Sequence, residues 1–203
     1  MYQTLRHIFG KKIETRRLSL QKMTQKDCPK FWKLLKEKGI QWYMPYRNES
    51  LTRKDIRCWL KQANPELDRY YGRYYENHLY YGITCKYNKQ FLGIIELNPN
   101  RDNYQGGTEL YLAYFLHKKC EGNGYMTEAV KAICDKMKHY CFPYRITLFI
   151  DLRNKKSLGI AKRCGFDWKD TFWIGHFSLI PPRYKNHLLS EVIRVDWTGL
   201  DVA

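Results

Sequence analysis

A chain of 203 residues, 44% of them hydrophobic, has the length of one ordinary domain and the means to build a sizeable core. No apolar run approaches the roughly 18 residues of a membrane span, and residues 1–10 are too short and mixed for a secretion signal, so the expectation is a cytoplasmic protein with no membrane partner. Thirty-six Lys and Arg against twenty Asp and Glu give a net charge of +16, a surface that attracts polyanions; proximity to RNA, for instance the ribosome, explains it economically, and a merely solvated basic surface is the plain alternative.

The seven cysteines are odd in number and form no Cys-x-x-Cys pair. Cys28, Cys134 and Cys164 fall on apolar helical stripes, where cysteine acts as a small hydrophobe, so they are read as reduced and structural. The six histidines show no metal spacing, and no metal is expected.

Taken in order, Ile13–Leu20 ends in the alternation of a first strand. Thr24, with Asp27 three residues on, caps a helix whose Cys28, Phe31, Trp32 and Leu35 share a face, and Gly39 ends it. Residues 40–50 form a loop dense in aromatics. Thr52 and Asp55 open a second helix with Ile56, Trp59, Leu60 and Ala63 on its buried stripe, stopped by Asn64-Pro65. Residues 66–82 interleave tyrosine with Arg69, Arg73 and His78, the composition of an aromatic lid or of a base-stacking surface.

Tyr80–Tyr87 and Phe91–Asn98 read as a hairpin about Asn88-Lys89. After a polar loop, the strand Thr108–Leu116 runs toward Gly122 and Gly124 and a helix that buries Met126, Ala129, Val130, Ile133 and Met137. Arg145–Leu152 alternates cleanly, Asn154 opens a helix ending near Cys164-Gly165, and 167–174 and 188–197 close the chain as strands. The sum is an α/β (α+β) single domain over 1–203. Its mixed, mostly antiparallel seven-stranded sheet has helices on both faces, and a parallel pair joins 108–116 to 145–152 because a helix crosses between them.

Gly122 and Gly124 sit where the strand-to-helix turn must tighten. Amides freed there, with the unpaired first amides and positive dipole end of the helix, make a corner suited to phosphate. Tyr114-Phe115-Leu116, Gly122-Asn-Gly-Tyr-Met-Thr-Glu-Ala129, Asn154-x-x-Ser157 and Gly165-Phe166 together closely resemble the GNAT superfamily of acetyl-CoA-dependent N-acetyltransferases. Glu14-Thr15-Arg16-Arg17-Leu18-Ser19-Leu20 and the ending Val195-Asp196-Trp197 are similar to its Rim-type branch, which modifies the N-termini of ribosomal proteins.

The resemblance implies a fold whose central parallel strands splay to admit an acetyl-pantetheine arm. It implies direct attack of a primary amine on acetyl-CoA in a ternary complex. The acceptor expected is a protein N-terminal α-amine. Alternatives are a small amine (antibiotic, polyamine or amino-sugar), aminoacyl-tRNA, or a non-enzymatic acetyl-CoA- or RNA-binding module. Glu121, Gly122, Asn123, Gly124, Tyr125, Met126 and Thr127 would cradle the pyrophosphate, Tyr114, Phe115 and Leu116 would pair with the pantetheine amides, and Asn154 would hold the pantetheine or a water.

In the Rim-type pattern the serine three residues after the asparagine donates a proton to the thiolate, so the resemblance implies that role for Ser157; the tyrosine many relatives carry seven residues after the asparagine is Ala161 here. Tyr111 occupies the usual acidic slot, which leaves Glu109, one alternation step back and open to re-aiming by a bulge, as the candidate base ahead of Glu96. Trp42, Tyr43, Met44 and Tyr46 would form part of the acceptor pocket, in a monomer or homodimer.

Overall fold

The computed structural model describes residues 8–37, 52–61, 78–100, 108–138, 144–175 and 189–197. Its strands are β1 (Lys12–Glu14), β2 (Leu18–Lys22), β3 (Leu79–Cys85), β4 (Phe91–Asn100), β5 (Thr108–Leu116), β6 (Tyr144–Asp151), β7 (Asp167–Gly175) and β8 (Leu189–Trp197). Among the described residues they are accompanied by the helices α1 (Cys28–Leu35), α2 (Arg53–Lys61), α3 (Tyr125–Lys138) and α4 (Lys155–Arg163). The described strands form one eight-stranded sheet in the order β1-β2-β3-β4-β5-β6-β8-β7, antiparallel except for β5 and β6.

The extra strand beyond the seven expected comes from the chain's start. Ile13–Leu20 is not one strand but two, antiparallel, with Ile13 facing Leu20. The reversal is fastened by Thr15, whose N–H donates to the Leu18 carbonyl at 2.9 Å while its Oγ1 accepts from the Leu18 N–H at 2.9 Å.

Alternation along the strands feeds two cores. On one face Leu79, Tyr81 and Ile83 of β3, Leu110 and Leu112 of β5, and Ile146, Leu148 and Ile150 of β6 pack against Met126, Ala129, Val130, Ile133 and Met137 of α3. On the other, Tyr80 and Ile94 meet Cys28, Phe31, Leu34 and Leu35 of α1 and Ile56 and Leu60 of α2. The expected capping boxes form, the first on a 3₁₀ turn (Gln25–Asp27) that runs into α1 rather than on α1 itself: Asp27 accepts from the Thr24 N–H at 3.0 Å, and Asp55 from the Thr52 N–H at 2.7 Å ahead of α2.

Two registers position the site. From Gly93↔Leu116 to Asn100↔Glu109 the β4–β5 pairing never slips, so β5 carries no bulge; the irregularity lies in β4 against Ile83/Thr84 instead. Second, among the described residues β5 pairs with β6 over four positions, Thr108↔Tyr144 to Tyr111↔Thr147. Beyond them β6 continues against β8, and Leu112–Leu116 has no register partner on that side among the described residues. The parallel pair is thus forked.

Candidate active site

At the open end of the fork, a 3₁₀ turn at Lys118–Cys120 leads into the bend ahead of α3. Gly122 and Gly124 hold φ of 79° and 73°, a region that a β-carbon disfavours. Asn123 braces the bend from within, its Nδ2 donating to the carbonyls of Cys120 (3.3 Å) and Glu121 (3.0 Å), and Lys156 of α4 pairs with the Glu121 carboxylate. Gly122, Asn123 and Gly124 are exposed. Among the described residues no acceptor meets the N–H of Gly122, Asn123, Gly124, Tyr125, Met126 or Thr127; the first bonded amide is that of Glu128, to the Gly124 carbonyl at 3.0 Å. Six unspent donors at the positive end of a 14-residue helix are a strong anion-binding arrangement.

Arg17 reaches the same corner, and pattern reading assigned it no role there. Its guanidinium lies 4.8 Å from the centre of the Tyr125 ring, with Nη2 beside Gly124. Glu128 fixes it: Oε2 accepts from Arg17 Nε at 2.6 Å, and Oε1 accepts from the Arg17 N–H at 2.8 Å and from Thr15 Oγ1 at 2.6 Å. Burial opposes ionisation of Glu128, but these donors outweigh it and hold the carboxyl below its ordinary range. The only hint in the sequence was the Glu-Thr-x-Arg-Leu opening. A cavity of about 610 Å³ starts at this corner and follows the outer face of α3, between Thr15, Thr127, Lys131 and Arg163.

Across the fork, Asn154 caps α4: its Oδ1 accepts from the Ser157 N–H at 3.1 Å. Ser157 Oγ lies 2.8 Å from the Tyr114 hydroxyl, so β5 is joined through side chains to α4, the helix that follows β6, where the backbone pairing has ended. Burial pushes the Tyr114 phenol up to about 12, the bond from Ser157 opposing this only in part. Phe115 turns the other way, toward the α1–α2 core, and Leu116 packs on the α3 side.

Glu109 stands at the closed end and on the opposite face from Tyr114. It is 5% exposed; its Oε1 accepts from Arg145 Nε and Thr147 Oγ1, both at 3.0 Å. Thr147 Oγ1 also lies 2.8 Å from Asp196 Oδ1, and one hydroxyl proton can serve only one carboxylate at a time. Arg194 donates to Asp196 at 2.7 Å. Glu109, Tyr111, Arg145, Phe149, Asp170 and Arg194 line a cavity of about 360 Å³ there. Glu96 is engaged elsewhere, with His78 Nδ1 at 2.5 Å and the Tyr80 hydroxyl at 3.1 Å.

Trp42, Tyr43, Met44 and Tyr46 lie outside the described residues, as do 66–77 of the tyrosine-rich segment; its residues 79–82 belong to β3. The six cysteines among the described residues are free thiols, and burial lifts Cys164 to about 11, which removes it as a nucleophile near neutral pH. Among the described residues no three His, Cys, Asp or Glu gather as metal ligands, and no helix is long and apolar enough to cross a membrane.

A mixed sheet forked at its parallel pair, with an amide-lined bend ahead of the crossing helix, defines the class of fold. Residues 17–167 match the acetyltransferase (GNAT) domain, and the chain belongs to this family. It is similar to the [ribosomal protein uS5]-alanine N-acetyltransferase of Escherichia coli (strain K12), 27% identical over 120 residues; the match spans 59% of each chain. Among solved structures it resembles RimL, a ribosomal L7/L12 α-N-protein acetyltransferase in complex with coenzyme A. That likeness has a TM-score of 0.68 at 17% identity and covers 92% of this chain and 97% of that one. It also resembles spermidine N-acetyltransferase from Vibrio cholerae in complex with CoA and spermine, with a TM-score of 0.65 at 16% identity over 91% and 97% of the two chains.

Proposed function

We propose that the chain is an acetyl-CoA-dependent N-acetyltransferase whose acceptor is a protein N-terminal α-amine of the ribosomal-protein type. The observation that carries the reading is the exposed bend with six unspent amides at the mouth of a forked strand pair. Glu121 to Thr127 would hold the diphosphate, with the Arg17 guanidinium beside them. The unpaired edge of Leu112–Leu116 would take the pantetheine amides, and the fork would bring the thioester between Tyr114 and Glu109.

Acetyl transfer forms a C–N bond and breaks a C–S bond. The ammonium must lose a proton before attack and the departing thiolate must gain one. Ser157 is the donor in this reading. A buried phenol that stays protonated donates into Ser157 Oγ, which leaves the serine's own O–H for the sulfur. Glu109 takes the amine's proton from the opposite face, through water if need be. An α-amine asks little of it, since about a tenth is already neutral at pH 7, against about one part in 2500 of a lysine amine. The acceptor class is supported by the curated relative's name and by the +16 charge, which disfavours polycations such as polyamines.

The test pairs two measurements. Acetyl-CoA should slow hydrogen exchange at the 122–127 amides, and mass spectrometry should find acetyl groups on the α-amines of a peptide panel in preference to spermidine or lysine side chains. Unprotected amides would remove the pocket; a preference for spermidine would remove the acceptor.

A further inference from the structure

Most ion pairs among the described residues bind a cation to a matched carboxylate: Lys86 to Glu14, Arg17 to Glu128, Arg145 to Glu109, Arg153 to Asp151, Arg194 to Asp196. The α1–α2 pair carries one such link, Lys30 to Asp27 at 3.5 Å, and departs from the rule beyond it. Its two aspartates are taken up by the caps at Thr24 and Thr52, and Glu37, just past α1, accepts from His117 and the Lys118 N–H. Lys26, Lys33, Arg53, Lys54, Arg57 and Lys61 are all exposed, and none has a side-chain partner among the described residues. Cys28, Phe31, Leu34, Leu35, Ile56 and Leu60 face the sheet; helical spacing then turns Lys33, Lys54 and Lys61 outward and Arg57 to the flank, with Lys26 and Arg53 exposed in the turns where the two helices start. Gln25 Nε2 donates to the Arg57 carbonyl at 3.5 Å and Cys28 Sγ to that of Arg53 at 3.4 Å, which sets the two helices side by side and opposed.

From this we infer that the outward face of α1 and α2 docks double-helical RNA through its phosphates. α2 is about 14 Å long, a length over which a duplex presents roughly eight phosphate charges. The large exposed hydrophobics of the described residues are Tyr87, Phe149 and Trp168, none of them on this face. Its described residues therefore offer no apolar wedge for a bilayer and no stacking platform for unpaired bases. Trp32 and Trp59 are partly buried against the core. What remains is a field of point charges on a packed platform, which suits A-form RNA, read through backbone and shape. The choice of RNA over DNA rests on the ribosomal-type acceptor proposed above; the charge argument stands without it.

The experiment uses the full chain and a fluorescein-labelled RNA duplex of about 20 base pairs, followed by anisotropy across a KCl series. The triple variant Arg53→Ala, Arg57→Ala, Lys61→Ala is compared with Lys11→Ala, Lys162→Ala, Lys169→Ala, which removes the same charge elsewhere. The first triple should lose at least about tenfold in affinity and about three units of the log–log salt slope, the second less than about threefold. Acetylation of free peptides by the first triple should be unchanged. Anisotropy needs no turnover, so a failed acetyltransferase reading and a failed RNA surface give different results. Equal losses in the two triples would overturn the proposal. So would tighter binding of a DNA duplex or poly(U), or binding to phosphatidylserine vesicles that the first triple alone loses while RNA binding is unaffected. Should that triple fail to fold, Lys26→Ala, Lys33→Ala, Lys54→Ala replaces it.

Discussion

At the level of single residues, the Tyr114–Ser157 contact makes the sharpest demand. If the phenol orients the serine, the two act as a unit. Ser157→Ala should then lower kcat by well over tenfold while acetyl-CoA still binds, and Tyr114→Phe should lower it about tenfold with the KM for acetyl-CoA little changed. The double variant should be no worse than Ser157→Ala; a double-mutant cycle on kcat reads this, and additive losses would mean that the phenol acts independently. Ser157 and Asn154 were legible in the sequence because their spacing is local. Tyr114 as the serine's partner was not, since the contact joins positions 43 apart and no periodicity encodes it. The same holds for Arg17 and Glu128, 111 residues apart. Glu109 was legible as a carboxylate on the strand that became β5; its links to Arg145 and Thr147 follow from the β5–β6 register, which only the folded chain displays.

Two elements carry predictions of their own. Gly93 in β4 lies across from the end of β5, where an added β-carbon would stand 2.1 Å from the Phe115 carbonyl oxygen. Backbone cannot step aside as a side chain can. Gly93→Ala should cost about 3 kcal/mol, measured by denaturant titration, and should loosen the strand end that borders the fork.

The second element is the strap from Thr15 and Arg17 to α3. The Glu128 carboxyl titrates below its ordinary value, so the stability it adds is full above a pH of about 4.5 and is lost as pH falls through the folded-state value. The Tm gap between the wild type and Glu128→Gln should be widest near neutrality and close under acid; a gap constant with pH would rule the carboxylate out as its source. The split of the first strand was in principle legible. Ile13 and Leu18 are both buried yet five residues apart, an odd spacing that straight alternation forbids. The polar Thr15-Arg16-Arg17 between them marks the break.

For the molecule as a whole, the order of strands and helices was enough to place the parallel pair, because one crossing helix permits few topologies. Where that pair stops was not legible, since hydrophobic alternation runs through β5 and β6 regardless of pairing. At this scale the reaction's pH dependence discriminates acceptors. Turnover of an α-amine peptide should rise with pH and level off near about 8, whereas a lysine side chain should still be gaining beyond about 9. A profile of the second kind with the best peptide would contradict the proposed acceptor.

The short zip between β5 and β6 has a consequence for how such a protein can change. Among the described residues four rungs hold the halves together, with the Glu109 cluster at one end and the glycine bend beyond the other. Under the proposed function, lineages could redraw the acceptor chamber, swapping one amine for another, while leaving the thioester's berth untouched. Divergence would then accumulate on one side of that seam and stay scarce on the other.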